Sequence, residues 1–197
     1  GSEGYAALDR TPFYAQSGGQ TGDTGSLFSD GAELASVTDT QKPVAKVYFH
    51  AVRTHAELKK GMKVSARVSG DRYRTACNHT ATHVINAALK QVFGDTTRQA
   101  GSEVDPVRFR FDYTITKAPT KEEIARIEDI ANAAVREDYR VHKAVRPLAD
   151  AQAFGATTLL GEKYADPARF VLINRGWATT PLSPGAPDRT ATRVCTT

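Results

Sequence analysis

Apolar and polar residues change rhythm along this chain near residue 70. Before that point, short stretches alternate with a period of two between glycine-rich turns: Tyr5–Leu8, Glu33–Val37, Ala45–Val52 and Val64–Val68. Such alternation predicts strands with one covered face, and several of them in so short a span predict a small barrel or sandwich. After Gly70-Asp71-Arg72 the period becomes that of a helix, because Ala81, Val84, Ile85, Ala88, Leu89 and Val92 recur at spacings of three and four up to about Phe93. Phe109, Phe111 and Tyr113 then alternate with Arg108, Arg110 and Asp112, the pattern of another strand. Thr120 and Glu123 stand in capping-box spacing and open a second helix, which is expected to turn Ile124, Ile127, Ile130, Ala131, Ala134 and Val135 inward. A strand at Tyr139–Val145, a short helix after Pro147 and a strand at Phe170–Ile173 complete an α+β layer of helices on a mostly antiparallel sheet. The stretch 176–197, with Pro181, Pro184 and Pro187, is expected to be loop.

The 197 residues suffice for one substantial core or two small ones, and the change of period places a boundary near residue 70, between a unit over 1–69 and one over 70–197. No apolar run approaches the ~20 residues that cross a bilayer. Two cysteines, Cys77 and Cys195, are too few for a disulfide framework, so a reducing cytoplasm is the expected compartment and their thiols stay available to a metal. The net charge of +4 permits a polyanionic partner, but the basic residues are spread along the chain rather than gathered in a tail.

Candidate chemistry centres on Cys77-Asn78-His79-Thr80-Ala81-Thr82-His83, where two histidines lie one helical turn apart. Two imidazoles so placed can share one metal ion, or they can simply belong to a solvated polar face together with Asn86 and Lys90. Thr80 stands where a zinc protease of the HExxH type carries its glutamate, so a peptidase lacks its general base. Cys195 would supply a third zinc ligand, or it is an unrelated cysteine of the tail. Cys77 falls on the side of the apolar face and is expected to act as a small hydrophobe. The loop from Gln16 to Asp23 offers flexible amides that could approach a substrate or a phosphate, or it is only a set of turns between strands. It lacks the Lys-Ser/Thr ending of a phosphate-binding loop. Gln99, between the histidine helix and the next strand, is on pattern alone a loop glutamine.

Five segments in order are more specific than any one of them. Leu8 to Asp23, Asn78-His79-Thr80-Ala81-Thr82-His83, Gln99-Ala100-Gly101-Ser102, Arg108-Phe109-Arg110-Phe111-Asp112 and Gly161-Glu162-Lys163-Tyr164 together resemble the editing domain of alanyl-tRNA synthetase and the freestanding trans-editing proteins related to it. The resemblance implies a small β-barrel followed by an α+β editing core. It implies hydrolysis of alanine tRNA wrongly charged with serine or glycine in a Zn2+ pocket, either beside the rest of a synthetase or as an independent protein. His79 and His83 match the first pair of zinc ligands and Cys195 the cysteine of a later Cys-x-x-x-His pair. Thr82 and Gln99 match pocket residues that discriminate the amino acid and support hydrolysis, and Gly18, Gly19 and Gln20 match the glycine-rich loop that approaches the aminoacyl end. The sequence departs from the pattern after Cys195, where Thr196-Thr197 stands in place of Gly-Gly-Thr-His, and this departure sets the expectation of a weakened zinc site or a binding module with impaired catalysis.

Overall fold

The computed structural model describes residues 1–153, 156, 164–174 and 192–196, the last five as backbone. Two compact units are present, one formed by Gly1–Thr82 with Gly101–Asp112, the other by His83–Ala100 with Tyr113–Thr197. The architecture is α+β, as the alternation of period implies.

The first unit is built on five antiparallel strands: β1 (Glu3–Ala7), β2 (Gly25–Ser29), β3 (Ala32–Val44), β4 (Val47–Thr54) and β5 (Ser65–Val68), in the order β1-β4-β3-β2-β5. Alternate residues of all five face a single cluster. Phe13, Leu27, Ala35, Val37 and Val52 are buried, with Ala6 of β1 and Ala66 and Val68 of β5 packed against them. Because residues of both end strands reach the same cluster, the sheet curls around its core. β3 is more than twice as long as its apolar stretch predicts. Register shifts between Val37 and Asp39, and between Gln41 and Val44, let it bend while its backbone stays paired with β4.

Helix α1 (Asp71–Phe93) follows β5, and β6 (Arg98–Val104) and β7 (Phe109–Thr114) form a hairpin. Asp105 builds the hairpin turn, its Oδ1 accepting the N–H groups of Val107 at 2.6 Å and Arg108 at 2.8 Å. β6 lies where the sequence suggests loop, because Arg98, Gln99, Gly101, Ser102 and Glu103 carry no apolar alternation and the strand is specified by pairing.

In the second unit, α2 (Lys121–Arg136) begins with the capping box expected of it: Thr120 Oγ1 accepts from Glu123 N–H at 3.2 Å and Glu123 Oε2 accepts from Thr120 N–H at 2.8 Å. Ile127 and Ala131 are buried, but Ile124 and Val135, expected inward, are exposed, so the covered stripe is narrower than the apolar one. β8 (Arg140–Arg146), β9 (Ala168–Asn174) and β10 (Thr192–Thr196) form an antiparallel sheet in the order β10-β9-β8, with the short α3 (Leu148–Ala153) after β8. Phe170 and Leu172 are buried against Leu148, Ala156 and Tyr164. β10 corrects the expectation of loop throughout 176–197, since backbone pairing with β9 makes a strand of five residues that composition does not mark.

Candidate active site on the histidine helix

The glycine-rich loop is a fixed structure closed at its base. Tyr14 and Asp23 exchange contacts, with Tyr14 N–H on Asp23 Oδ2 at 2.7 Å and Asp23 N–H on the Tyr14 carbonyl at 2.8 Å. Thr40 Oγ1 donates to the Asp23 carbonyl at 2.9 Å, and Gln16 N–H donates to the Thr40 carbonyl at 2.9 Å. At the tip, Ser17 and Gln20 pair through both backbone bonds across Gly18 and Gly19, whose φ values of 56° and 80° are those of a type I′ turn. Gly19 is required twice over, since a Cβ there would lie 2.6 Å from Ser102 Oγ. Beyond the turn, Val104 N–H donates to the Gly19 carbonyl at 2.8 Å and Thr21 N–H donates to the Val104 carbonyl at 3.0 Å, seating the loop on β6.

The loop also meets the histidine helix. Arg72, in the first turn of α1, gives its guanidinium to the buried Asp23 carboxylate and to the Pro12 carbonyl, the latter at 2.8 Å. Two turns along, His79 Nδ1 is 2.7 Å from Gln20 Oε1. The amide oxygen only accepts, so the proton is on Nδ1 and the ring's lone pair on Nε2. Burial pushes the His79 pKa below the ordinary imidazole value, so the ring is neutral at pH 7, the form that can ligate a metal. Asn78 Nδ2 donates to the Asp105 carbonyl at 2.8 Å, tying the same turn of helix to the hairpin. Thr82 is 3 % exposed and its hydroxyl donates to the His79 carbonyl at 2.7 Å, leaving the hydroxyl oxygen's lone pairs as acceptors.

The structure thus brings Gln20, His79 and Thr82 together on one side of the first unit, with Gly18 and Gly19 forming the turn that presents Gln20. His83 lies one turn further along α1 and is half-buried, as is Gln99, the second residue of β6; both belong to the second unit. The backbone of Cys195 pairs with Phe170, while its side chain lies outside the described residues, as do Gly161, Glu162 and Lys163. Among the described residues there is no group of three or more His, Cys, Asp or Glu side chains able to hold a metal ion.

One alternative and one expectation about α1 are corrected. The polar stripe through His79, His83, Asn86 and Lys90 is not a solvated face: Asn86 is 6 % exposed, and burial lowers the pKa of Lys90, with Arg98 adding to the shift and Asp95 opposing it. The helix is partly covered on its polar side, where His79, His83 and Lys90 are half-buried, as well as covered on the side of Ala88 and Leu89. Cys77, expected against the core, is exposed. Sequence reasoning also passed over Arg72, Asp23 and Asn86. The only hint of the first two was an arginine at a helix start after a Gly-Asp turn; Asn86 was marked only by its place on the polar face, and its Oδ1 is buried with no hydrogen-bond partner among the described residues.

A fixed glycine turn thus holds its glutamine against a neutral histidine on a partly buried helix, in an α+β chain. Residues 1–72 match the family model described as class II tRNA synthetases (A). Over 172 residues, 86 % of its length, the chain is 49 % identical to the alanine-tRNA ligase of Elusimicrobium minutum. It is 44 % identical over 173 residues to that of Acidithiobacillus ferridurans, and 44 % identical over 177 residues to that of Bradyrhizobium diazoefficiens. In each comparison the chain spans about a fifth (20 %) of the length of the curated relative it matches.

Proposed function

We propose that this chain is an editing module of an alanine-tRNA ligase that deacylates alanine tRNA wrongly charged with serine or glycine. The observation that carries this reading is the neutral His79 on α1, addressed through Nδ1 by the loop glutamine Gln20, beside the buried hydroxyl of Thr82. Relatedness to alanine-tRNA ligases over 86 % of the chain supplies the biological setting, with the cytoplasm as its compartment and the acceptor end of tRNA as partner.

The chemistry is hydrolysis of the ester between the amino acid and the terminal ribose. Water adds to the ester carbonyl, the acyl–oxygen bond breaks, and the ribose hydroxyl leaves with a proton. The donor set His79 and His83 fits Zn2+ in chemistry: two imidazoles one turn apart, one of them neutral with its outer nitrogen hydrogen-bonded as zinc-bound histidines require. Cys195 is the third ligand in this reading. Bound there, Zn2+ would polarise the substrate or lower the pKa of water. The chain's own groups do the rest. Thr82, whose own proton goes to the His79 carbonyl, has lone pairs to accept from the serine hydroxyl or the α-ammonium group. The amide of Gln99 can donate to a developing negative charge on the ester oxygen. Gly18, where a Cβ would meet nothing within 4 Å, leaves space for the aminoacyl end to approach the backbone, and Gly19 seats the turn against Ser102. A pocket that satisfies a hydroxyl accepts serine over alanine, because a polar group left unpaired in the wrong complex discriminates strongly.

The test is deacylation of serine-, glycine- and alanine-charged alanine tRNA, with Zn2+ added or chelated, by this chain and by a His79→Ala, His83→Ala variant. Zinc-dependent hydrolysis of the seryl and glycyl esters, at least about a hundredfold faster than of the alanyl ester and lost in the variant, is expected. Equal rates on all three esters, or hydrolysis unaffected in the variant, would refute it. Tight tRNA binding without hydrolysis would show a binding module instead.

A further inference from the structure

We propose that Gln20 is a positioning residue that holds His79 as the Nδ1–H tautomer, so that the ring's lone pair is kept on Nε2 for a divalent cation. The cation rests on the zinc reading above; the tautomer rests on geometry alone. The resemblance places Gln20 in a loop that approaches the aminoacyl end, but its side-chain oxygen is already 2.7 Å from His79 Nδ1. Neutral histidine in water favours the other tautomer, with the proton on Nε2. A ring that must offer Nε2 therefore gains from a fixed acceptor at Nδ1, the arrangement that outer partners of metal-bound histidines commonly provide.

The acceptor is fixed because both partners are tied to the same short stretch of the β6–β7 hairpin. Val104 carries the loop, through its bonds to Gly19 and Thr21 at 2.8 and 3.0 Å on either side of Gln20. The next residue, Asp105, carries the helix through the 2.8 Å bond from Asn78, which immediately precedes His79. The Gln20–His79 bond closes this circuit, and every member of it belongs to the first unit. A glutamine on a free loop would lose much of the hydrogen bond's value to side-chain and backbone entropy. Here the I′ turn and the two Val104 bonds have already ordered the backbone that presents it.

The experiment uses the full chain labelled with 15N-histidine at neutral pH, with a His79→Asn variant to assign the ring among the five histidines. Two-bond proton–nitrogen spectra read which ring nitrogen carries the proton. In the wild type, Nδ1 of His79 is expected to be protonated and Nε2 bare. Gln20→Ala should move the ring towards Nε2–H, and Gln20→Glu, which keeps an acceptor, should restore the pattern. Titration with Zn2+, or with Co2+ followed by its visible absorption, should show affinity weakened about 10- to 100-fold in Gln20→Ala and recovered in Gln20→Glu. A circular dichroism melt of each variant checks that the fold is intact, and a variant that unfolds is replaced by Gln20→Met, which keeps length without an acceptor. An Nε2–H pattern in the wild type, or a His79 tautomer and cation affinity indifferent to residue 20, would overturn the proposal. If the wild type takes up neither ion while the tautomer still follows residue 20, the zinc reading falls and the positioning role stands.

Discussion

Removing either member of the Asp23–Arg72 pair should destabilise the first unit, and by unequal amounts. The Asp23 side chain is 4 % exposed and that of Arg72 42 %, so each partner leaves behind a different orphan. In Asp23→Ala, the guanidinium can turn to water and keep its bond to the Pro12 carbonyl; the losses are one charge-assisted contact and the acceptor of Tyr14 N–H. Breaking a buried pair costs about 3–5 kcal/mol, and the hydration open to Arg72 reduces this to about 2–3 kcal/mol for Asp23→Ala. In Arg72→Met, the carboxylate stays buried with only one N–H donor, and the cost should lie at the upper end, about 4 kcal/mol. Urea unfolding of the two single variants and the double variant, followed by far-ultraviolet circular dichroism, gives the cycle. The coupling should be about 1.5–3 kcal/mol, because the double variant removes the orphans along with the bond. Since the pair joins the loop base to the first turn of α1, hydrogen exchange should rise in the peptide spanning residues 14–23 in both single variants. Arg72→Met costing less than Asp23→Ala, or additivity within about 0.5 kcal/mol, would refute the assignment of Asp23 as the buried, dependent member.

Acidification should weaken the first unit through His50, which is fully buried, accepts from Thr11 Oγ1 at Nε2 (2.7 Å) and donates from Nδ1 to the Ala6 carbonyl (3.0 Å). Burial lowers its pKa below 6.5, although the Ala6 bond opposes the shift, so the unfolded chain takes up the proton first. Its contribution is therefore present above the unfolded value and is lost as pH falls below it; a urea midpoint independent of pH between about 7.5 and 5 would be contrary to this. Asn86→Leu should raise stability by about 1 kcal/mol, because it removes a buried oxygen without a partner among the described residues while keeping volume; a drop of that size in thermal unfolding would mean that the amide is satisfied by another group or by water. Cys77 should react with iodoacetamide in the native state, read by peptide mass spectrometry, whereas modification only in denaturant would contradict its exposure.

What the sequence showed and what it hid divide along the range of the interactions involved. α2 was legible because its start is written locally, by Thr120 and Glu123 three residues apart, and its core by Ile127 and Ala131. Ile124 and Val135 misled, since periodicity reports which residues could face inward and not how wide a stripe the neighbours cover. β2, β6 and β10 were invisible for a shared reason. Gly25–Ser29, Arg98–Val104 and Thr192–Thr196 are held by backbone pairing with a neighbouring strand, and their sequences carry little of the alternation that marks a half-buried strand.

The same division explains the site. The histidine pair was legible as helical spacing, but spacing could not say whether the polar face of α1 meets water. It meets water only in part, with Thr82 at 3 % and Asn86 at 6 % exposure and His79 and His83 half-buried, and this changes the chemistry open to the residues. On a solvated face His79 would titrate near its ordinary value and rotate freely. Covered, it is held neutral, and a partner 59 positions earlier in the chain determines which nitrogen carries its proton. No local pattern could pair Gln20 with His79, because the pairing is made by Val104 and Asp105, consecutive residues on a strand end and a turn far from both in the chain. The glycines of the loop then acquire a reason beyond flexibility. Gly18 and Gly19 supply the positive φ angles of the turn, Gly19 comes close enough to Ser102 for β6 to hold the backbone, and together they fix the position of one amide oxygen relative to one imidazole.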